Sequence, residues 1–297
     1  MKYTKKKNNT KLYLFLLPLI VVLLVMVAYP FFSNILYSFT DYSLIKPEKQ
    51  FIFLDNYIKI LGDNEFLSIF KNTIIWTVGN MVLIIIIGLT VGLLLDSDIK
   101  GKIILQSVIL IPWVIPQIVT GYTWKWMMAS DYGILNSILL KLGIIDGNFS
   151  WFRDGKMAML AVILANVWRS FPLMAVMIYA KKRTMPKEWT EAAVIDGANA
   201  FQVFRYIVLE YVKPVLISTS ILIFLWCYNA FGIIYAITEG GPLGATETFP
   251  VFIQKKAFGQ FDFGFTSAMS ILMMLSMLIL YMIIKMLFKK RKNSGEV

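Results

Sequence analysis

Histidine is absent from this 297-residue chain, and cysteine occurs once, at Cys227. Without them there is no disulfide framework and none of the usual zinc ligand sets, so metal and disulfide chemistry are excluded. Charge is scarce as well. Charged residues make up 16% of the chain and hydrophobic ones 58%, against about 25% and about 45–50% in ordinary soluble domains. This balance argues against a soluble globular protein. No G-x-x-x-x-G-K-[ST] occurs, because neither Gly101-Lys102 nor Gly155-Lys156 is followed by Ser or Thr, so that type of phosphate cradle is missing. Catalysis has no convergent set of groups to rest on, which speaks against an enzyme.

What is present is apolar and segregated. Six runs carry at most one charge each: Leu12–Tyr29, Asn72–Leu95, Ile103–Trp124, Met157–Ala180, Pro214–Thr238 and Phe263–Ile284. About 20 apolar residues cross a bilayer as a helix, so the sequence predicts an all-α membrane protein with six transmembrane helices. The first run follows five lysines and lacks a small-x-small cleavage site after Ala28-Tyr29-Pro30, so it reads as an anchor rather than a signal. Of the 29 Lys and Arg, 18 fall in the termini and the loops at 96–102 and 181–213, and 9 in the alternate loops. The bias places both termini in the cytoplasm. The net charge of +11 then reflects membrane orientation and anionic lipid rather than nucleic acid. Residues 1–11 read as a cytoplasmic tail, 12–288 as one six-helix membrane domain, and 289–297 as a second cytoplasmic tail.

The loop between the fourth and fifth runs combines charge with apolar periodicity. Pro186 suits a first helical position, Glu188 lies in the first turn, and Gly197 suits a left-handed stop. Asn199 and Gln202 form a candidate capping box, after which Phe204, Ile207, Val208, Tyr211 and Val212 recur at helical spacing. A helix–turn–helix of this kind is either a rigid knob for a cleft on a partner or an interfacial pair lying on lipid.

EAAVIDGA at Glu191–Ala198, with Ile207 ten residues after Gly197 and Pro214 closing the run, resembles the EAA loop of ATP-binding-cassette (ABC) importer permeases. The likeness extends to LFLLPLI at Leu14–Ile20, YPFFSNILYSFTDY at Tyr29–Tyr42, LDNY at Leu54–Tyr57, NVWRSFP at Asn166–Pro172, TEGGP at Thr238–Pro242 and FDFGFTSAMS at Phe261–Ser270. Over nearly the whole chain it looks like the carbohydrate-uptake permeases of the maltose and glycerol-phosphate type. Leu209-Glu210 stands where that family commonly has Leu-Pro, so the second helix of the loop is expected to run on uninterrupted. The resemblance implies a coupling loop at 186–214 that docks on a separate ATPase dimer, which holds ATP and Mg; no cofactor is expected in this chain. It further implies a second homologous permease and an extracytoplasmic solute-binding protein, seated on outer segments such as Gly240-Gly241-Pro242, in a bacterial cytoplasmic membrane. Glu191 is the expected polar contact to the ATPase, Ala192 and Ala193 allow close approach, Asp196 caps or pairs, and Gly197 makes the turn.

Arg169 lies near the middle of the fourth run. A charge at that depth costs roughly 2.5–3.5 kcal/mol, so it must face protein, a water-filled path or a partner. It is either a functional group or a clamp on backbone carbonyls. The resemblance places sugar-contacting positions near Trp113 and Gln117, Arg169 and Ser170, and Tyr228 and Asn229. Aromatic faces suit sugar C–H groups, and amides, hydroxyls and guanidinium suit sugar hydroxyls. An anionic sugar or sugar derivative stands as the alternative substrate to a neutral mono- or oligosaccharide. A secondary transporter would need intramembrane acids, and the runs contain none.

Overall fold

The structure, a computed structural model, describes residues 10–46, 48–97 and 101–293. Residues 1–9 of the expected N-terminal tail, Lys100 of the 96–102 loop and residues 294–297 of the C-terminal tail lie outside the described residues. Among the described residues there are helices and two isolated β-bridges, but no strand.

The first helix, α1, runs continuously through Thr10–Leu23, Leu24–Ala28 and Tyr29–Ser38. It is followed by α2 (Asp55–Gly62), α3 (Asn64–Leu94), α4 (Lys102–Val114), α5 (Gln117–Met127), α6 (Ile134–Lys141) and α7 (Gly155–Arg183). Next come α8 (Lys187–Ile195) and a single rod, α9, from Ala200 to Tyr228. The chain ends with α10 (Gly232–Thr238), α11 (Phe249–Gln254, continued by Lys255–Gly259) and α12 (Phe263–Asn293). Among the described residues five helices are long and apolar enough to cross a membrane, and there is a sixth span if α4 and α5 count as one.

That pair corrects the expectation of a straight third span over 103–124. The two helices meet at 97°. Pro116 removes a backbone N–H and disfavours helical geometry in the residue before it, and Ile115 is extended at φ −68°, ψ 131°. The fifth span differs too. Instead of running from Pro214 to Thr238, the helix begins at Ala200, continues through Pro214, ends at Tyr228, and resumes as α10 after Ala230 and Phe231. The amphipathic helix of the loop and the fifth span are therefore one element.

The residues divide into two compact units, one reaching up to Asp63 and including Ile253–Ser276, the other comprising Asn64–Phe252 and the chain from Met277. In the larger unit α3 lies along α7, with α9 against both. Small residues permit this closeness, as small-xxx-small patterns do between membrane helices. Gly88 and Gly92, four apart on α3, face Met174 and Ala175 of α7; a Cβ on Gly88 would meet Met174 Cβ at 2.5 Å and one on Gly92 the Ala175 carbonyl oxygen at 2.6 Å. Trp76, Ile84, Val162, Met174 and Ile178 fill the seam. Asp154 caps α7 by accepting from the backbone N–H groups of Lys156 and Met157, both at 3.0 Å. At the far side of the break α5 packs on α10, where Gly121 abuts Ala236.

The smaller unit is organised around the turn after α1. Asn56 donates to the Ser38 and Thr40 carbonyls at 3.0 and 2.9 Å, and the Tyr57 hydroxyl donates to Ser38 Oγ at 2.7 Å. Asp41 accepts from the Gln50 N–H at 2.7 Å and pairs with Lys46 at 3.1 Å, which holds its carboxyl below the usual carboxylate range.

Candidate functional site

Two helix interruptions leave carbonyls without their helical partners, and burial makes such groups costly. Each is answered by a side chain from another helix. Arg169 Nε on α7 donates to the Ile115 carbonyl at 3.1 Å, at the broken end of α4. Trp76 Nε1 on α3 donates at 2.8 Å to the Cys227 carbonyl near the end of α9, which also accepts from the Ala230 N–H at 3.1 Å. A buried amide chain runs beside the second: Asn80 Nδ2 donates to the Trp76 carbonyl at 2.8 Å, and Asn166 Nδ2 to Asn80 Oδ1 at 2.7 Å and to Cys227 Sγ at 3.8 Å.

Between the two breaks lies a cavity of about 30 Å³. Gln117, at the start of α5, faces it together with Asn166, Arg169 and Ser170 of α7; Ile223, Trp226 and Cys227 of α9 and Ala230 of the interruption complete the wall. Interrupted helices whose freed backbone lines a cavity are how membrane proteins build polar sites at depth. The lining supplies amide, hydroxyl and guanidinium groups beside an indole, a set suited to a polyhydroxylated solute. At about 30 Å³ the space holds roughly two waters. A sugar ring needs the surrounding helices to part.

Of the six residues expected along the pathway, Gln117, Arg169 and Ser170 share this cavity. Trp113 is 37% exposed on α4 and does not line it. Tyr228 is fully buried in an aromatic cluster, with ring centroids 5.7 Å from Phe224 and 6.3 Å from Phe249. Asn229 is exposed, and its amide donates to the Leu225 carbonyl at 2.9 Å. Asn166 was not singled out by its residue type, yet the signal was there: Asn166, Arg169 and Ser170 are spaced i, i+3 and i+4 and so share one helix face. Cys227, Trp226 and Ala230 become neighbours of that face only through the end of α9.

The loop after α7 is a second defined feature. Pro186 stands at the N-cap of α8, with Lys187 as the first helical residue. Gly197 is left-handed at φ +84°. Its N–H donates to the Val194 carbonyl at 3.0 Å and that of Ala198 to the Ala193 carbonyl at 2.9 Å, the paired bonds of a Schellman turn. Asp196 closes the helix as its C-cap. Asn199 Oδ1 accepts from the Gln202 N–H at 2.9 Å, and Gln202 Oε1 from the Asn199 N–H at 2.8 Å, a complete capping box opening α9. Glu191, Ala192, Val194 and Ile195 are exposed on α8, with Ala193 half-buried. These two motifs tie the end of α8 to α9, and at its other end the Thr184 and Met185 N–H groups donate to the Lys181 and Lys182 carbonyls at 3.1 and 3.0 Å, so α8 is a projection held by bonded turns to α7 and α9.

Comparison with known proteins agrees with this architecture. The family described as binding-protein-dependent transport system inner membrane component matches residues 84–293. The chain is 36% identical over 288 residues to the trehalose/maltose transport system permease protein MalF of Thermococcus litoralis, covering 95% of each chain. It is 30% identical over 273 residues to the diacetylchitobiose uptake system permease protein DasB of Streptomyces coelicolor, covering 90% of this chain and 83% of that one. A crystal structure of a bacterial alginate ABC transporter, in complex with an alginate pentasaccharide-bound periplasmic protein, shares the fold at a TM-score of 0.79 and 17% identity, covering 94% and 93% of the two chains. With the matched family spanning both helix breaks, the cavity and the α7–α9 loop, the chain belongs to the inner membrane components of binding-protein-dependent transport systems, the permeases of ABC transporters.

Proposed function

We propose that this chain is one of two homologous permease subunits of a bacterial ABC importer, passing a carbohydrate across the cytoplasmic membrane. The solute is handed over by an extracytoplasmic solute-binding protein, and a separate ATPase dimer, holding ATP and Mg, supplies the energy. The observation that carries this reading is the polar cavity where the interruptions at Ile115–Pro116 and Asn229–Phe231 meet, lined by Gln117, Asn166, Arg169 and Ser170. Relatives named for trehalose/maltose and diacetylchitobiose uptake support the carbohydrate class. Arg169 does not by itself select an anionic sugar, because a guanidinium donates to neutral hydroxyls as well as to carboxylates.

The bias of Lys and Arg puts both termini and the α7–α9 loop in the cytoplasm. There α8 docks on the ATPase, with Glu191 as the polar contact, Ala192 and Ala193 admitting the partner closely, and Asp196 and Gly197 shaping the turn. Closure of the ATPase shifts the populations of outward- and inward-open states by binding one better than the other.

The test is uptake of labelled sugars into proteoliposomes containing the full set of subunits and the binding protein. Glu191→Lys reverses the charge at the docking helix and is expected to cut ATP-dependent uptake at least tenfold, roughly the 1.4 kcal/mol that one charge contact contributes. The variant should remain folded in the membrane. Wild-type uptake by Glu191→Lys removes the coupling assignment, and uptake without ATPase or nucleotide removes the importer reading.

A further inference from the structure

Where α7 ends and α8 begins, next to the start of α4, lies a recess of about 470 Å³. It is separate from the cavity between the helix breaks. Among the described residues four cations line it, Lys102, Lys182, Arg183 and Lys187, with the carboxylates of Asp96 and Glu191 and the hydroxyl of Thr190. Lys182 is paired with Asp96 at 3.4 Å. Lys102 and Arg183 stand 5.3 and 5.9 Å from the Tyr179 ring, which orients them without neutralising them. Among the described residues neither they nor Lys187 has a salt-bridge partner. The recess thus holds more positive charge than its own acids compensate.

Beside it the character changes abruptly. Ile103 and Ile104, which follow Lys102 on α4, are 79% and 71% exposed. A cationic recess bordered by a bare apolar helix face suits a ligand with an anionic head and hydrocarbon tails. The headgroup chemistry can be narrowed further. A free phosphate would use the cations but would gain nothing from Ile103 and Ile104 and would face Asp96 and Glu191. A choline head would bring a further cation, a quaternary ammonium, among three lysines and an arginine. A glycerol head carries hydroxyls that donate to carboxylates, while its phosphodiester accepts from ammonium and guanidinium.

We propose that this recess binds the headgroup of an anionic glycerophospholipid of the phosphatidylglycerol type. The phosphodiester is held by Lys102, Arg183 and Lys187, the glycerol hydroxyls by Asp96 and Thr190, and the acyl chains lie along Ile103 and Ile104, with Glu191 left to the ATPase contact. The inference needs the chain to be a membrane protein and is independent of the solute it carries.

The full chain, purified in detergent alone and together with its ATPase, is titrated with phosphatidylglycerol, phosphatidylcholine or inorganic phosphate. Retained lipid is read by native mass spectrometry and protection by thermal shift. Expected are one retained phosphatidylglycerol per chain, a raised Tm, and little retention of phosphatidylcholine. In K102Q/R183Q, binding weakens about tenfold or more, with two surface cations removed. Lys141→Gln, outside the recess, leaves binding unchanged. K102Q/R183Q must keep the wild-type Tm without lipid; Lys187→Gln, on α8, gives an independent variant in which weakening is also expected. Equal retention by K102Q/R183Q and Lys187→Gln overturns the proposal. So does inorganic phosphate that protects as well as the lipid, which would assign the recess to a soluble anion. Loss of the lipid on adding the ATPase overturns it as well, since the recess would then be part of the protein interface.

Discussion

Gly92→Ala adds one methyl group where two membrane helices are closest. The new Cβ would lie 2.6 Å from the Ala175 carbonyl oxygen, 2.9 Å from Ile178 Cβ and 3.0 Å from Ile178 Cγ2. Ile178 can adjust its side chain only slightly, because its Cβ is fixed to the backbone, and the carbonyl oxygen cannot turn away without breaking α7. The helices must therefore separate. A gap of about 0.5–1 Å already forfeits a quarter to a half of each dispersion contact along the seam. Overpacking of this kind costs about 1–3 kcal/mol. The opposing gain, about 1 kcal/mol for alanine over glycine within a helix, shrinks when the unfolded reference in lipid is already helical. The expected net loss is about 1–2 kcal/mol, or roughly a five- to thirtyfold fall in the folded-to-unfolded ratio. It is measured by equilibrium unfolding of the purified protein in mixed micelles of rising dodecyl sulfate content, following tryptophan fluorescence. Gly147→Ala is the control, since a Cβ there meets nothing within 4 Å. If Gly92→Ala is as stable as the parent, or Gly147→Ala is equally damaged, close approach at Gly92 does not hold the helices together.

Two more variants separate the roles of the groups at the helix breaks. Arg169→Ala deletes a charge-assisted bond to the Ile115 carbonyl, about 1.5–3 kcal/mol, but also removes a mid-membrane charge costing roughly 2.5–3.5 kcal/mol. The terms nearly cancel, so a folded, inserted protein is expected, with sugar uptake impaired and Arg169→Lys only partly restoring it, because an ammonium lacks the planar fork. Wild-type uptake kinetics across a panel of sugars would leave the clamp as its sole role. Trp76→Phe keeps a buried aromatic ring but leaves the Cys227 carbonyl with only its bond from the Ala230 N–H at 3.1 Å, and the loss of one hydrogen bond should cost about 0.5–1.5 kcal/mol in the same micelle unfolding assay. An unchanged midpoint would show that the end of α9 does not depend on that bond.

How far the sequence discloses this arrangement depends on whether the cause is local. The turn at Gly197 and the capping box of Asn199 and Gln202 are readable because each is closed by residues within five positions of one another. Length and apolarity likewise disclose the spans. The bend in the third span is not visible in this way. Pro112, Pro172 and Pro214 all lie inside helices, whereas Pro116 ends one, and nothing in the local residues distinguishes it. The interruption at Asn229–Phe231 has no proline at all, and its capping donor, Trp76, is 151 positions from Cys227. Tyr228, polar and aromatic beside a pathway motif, is taken up by packing against Phe224 and Phe249. The Gly88–Gly92 spacing did carry a readable signal for close helix contact. Its partner, α7, becomes known only in three dimensions.

The connection between the cavity and the α8 projection follows from chain continuity. α8 joins the end of α7 at Arg183 to the start of α9 at Ala200. Those same two helices carry most of the cavity wall: Asn166, Arg169 and Ser170 on one, Ile223, Trp226 and Cys227 on the other. Ser170 and Arg183 are 13 residues apart on a continuous helix, about 20 Å at 1.5 Å per residue. Apart from the N–H that Pro172 lacks, backbone hydrogen bonds hold that length, so it passes on a displacement of its end rather than absorbing it. Bonded turns at both ends of α8 leave little slack there. Motion imposed on α8 must therefore reach both walls of a cavity that is too small for a sugar until those walls move apart.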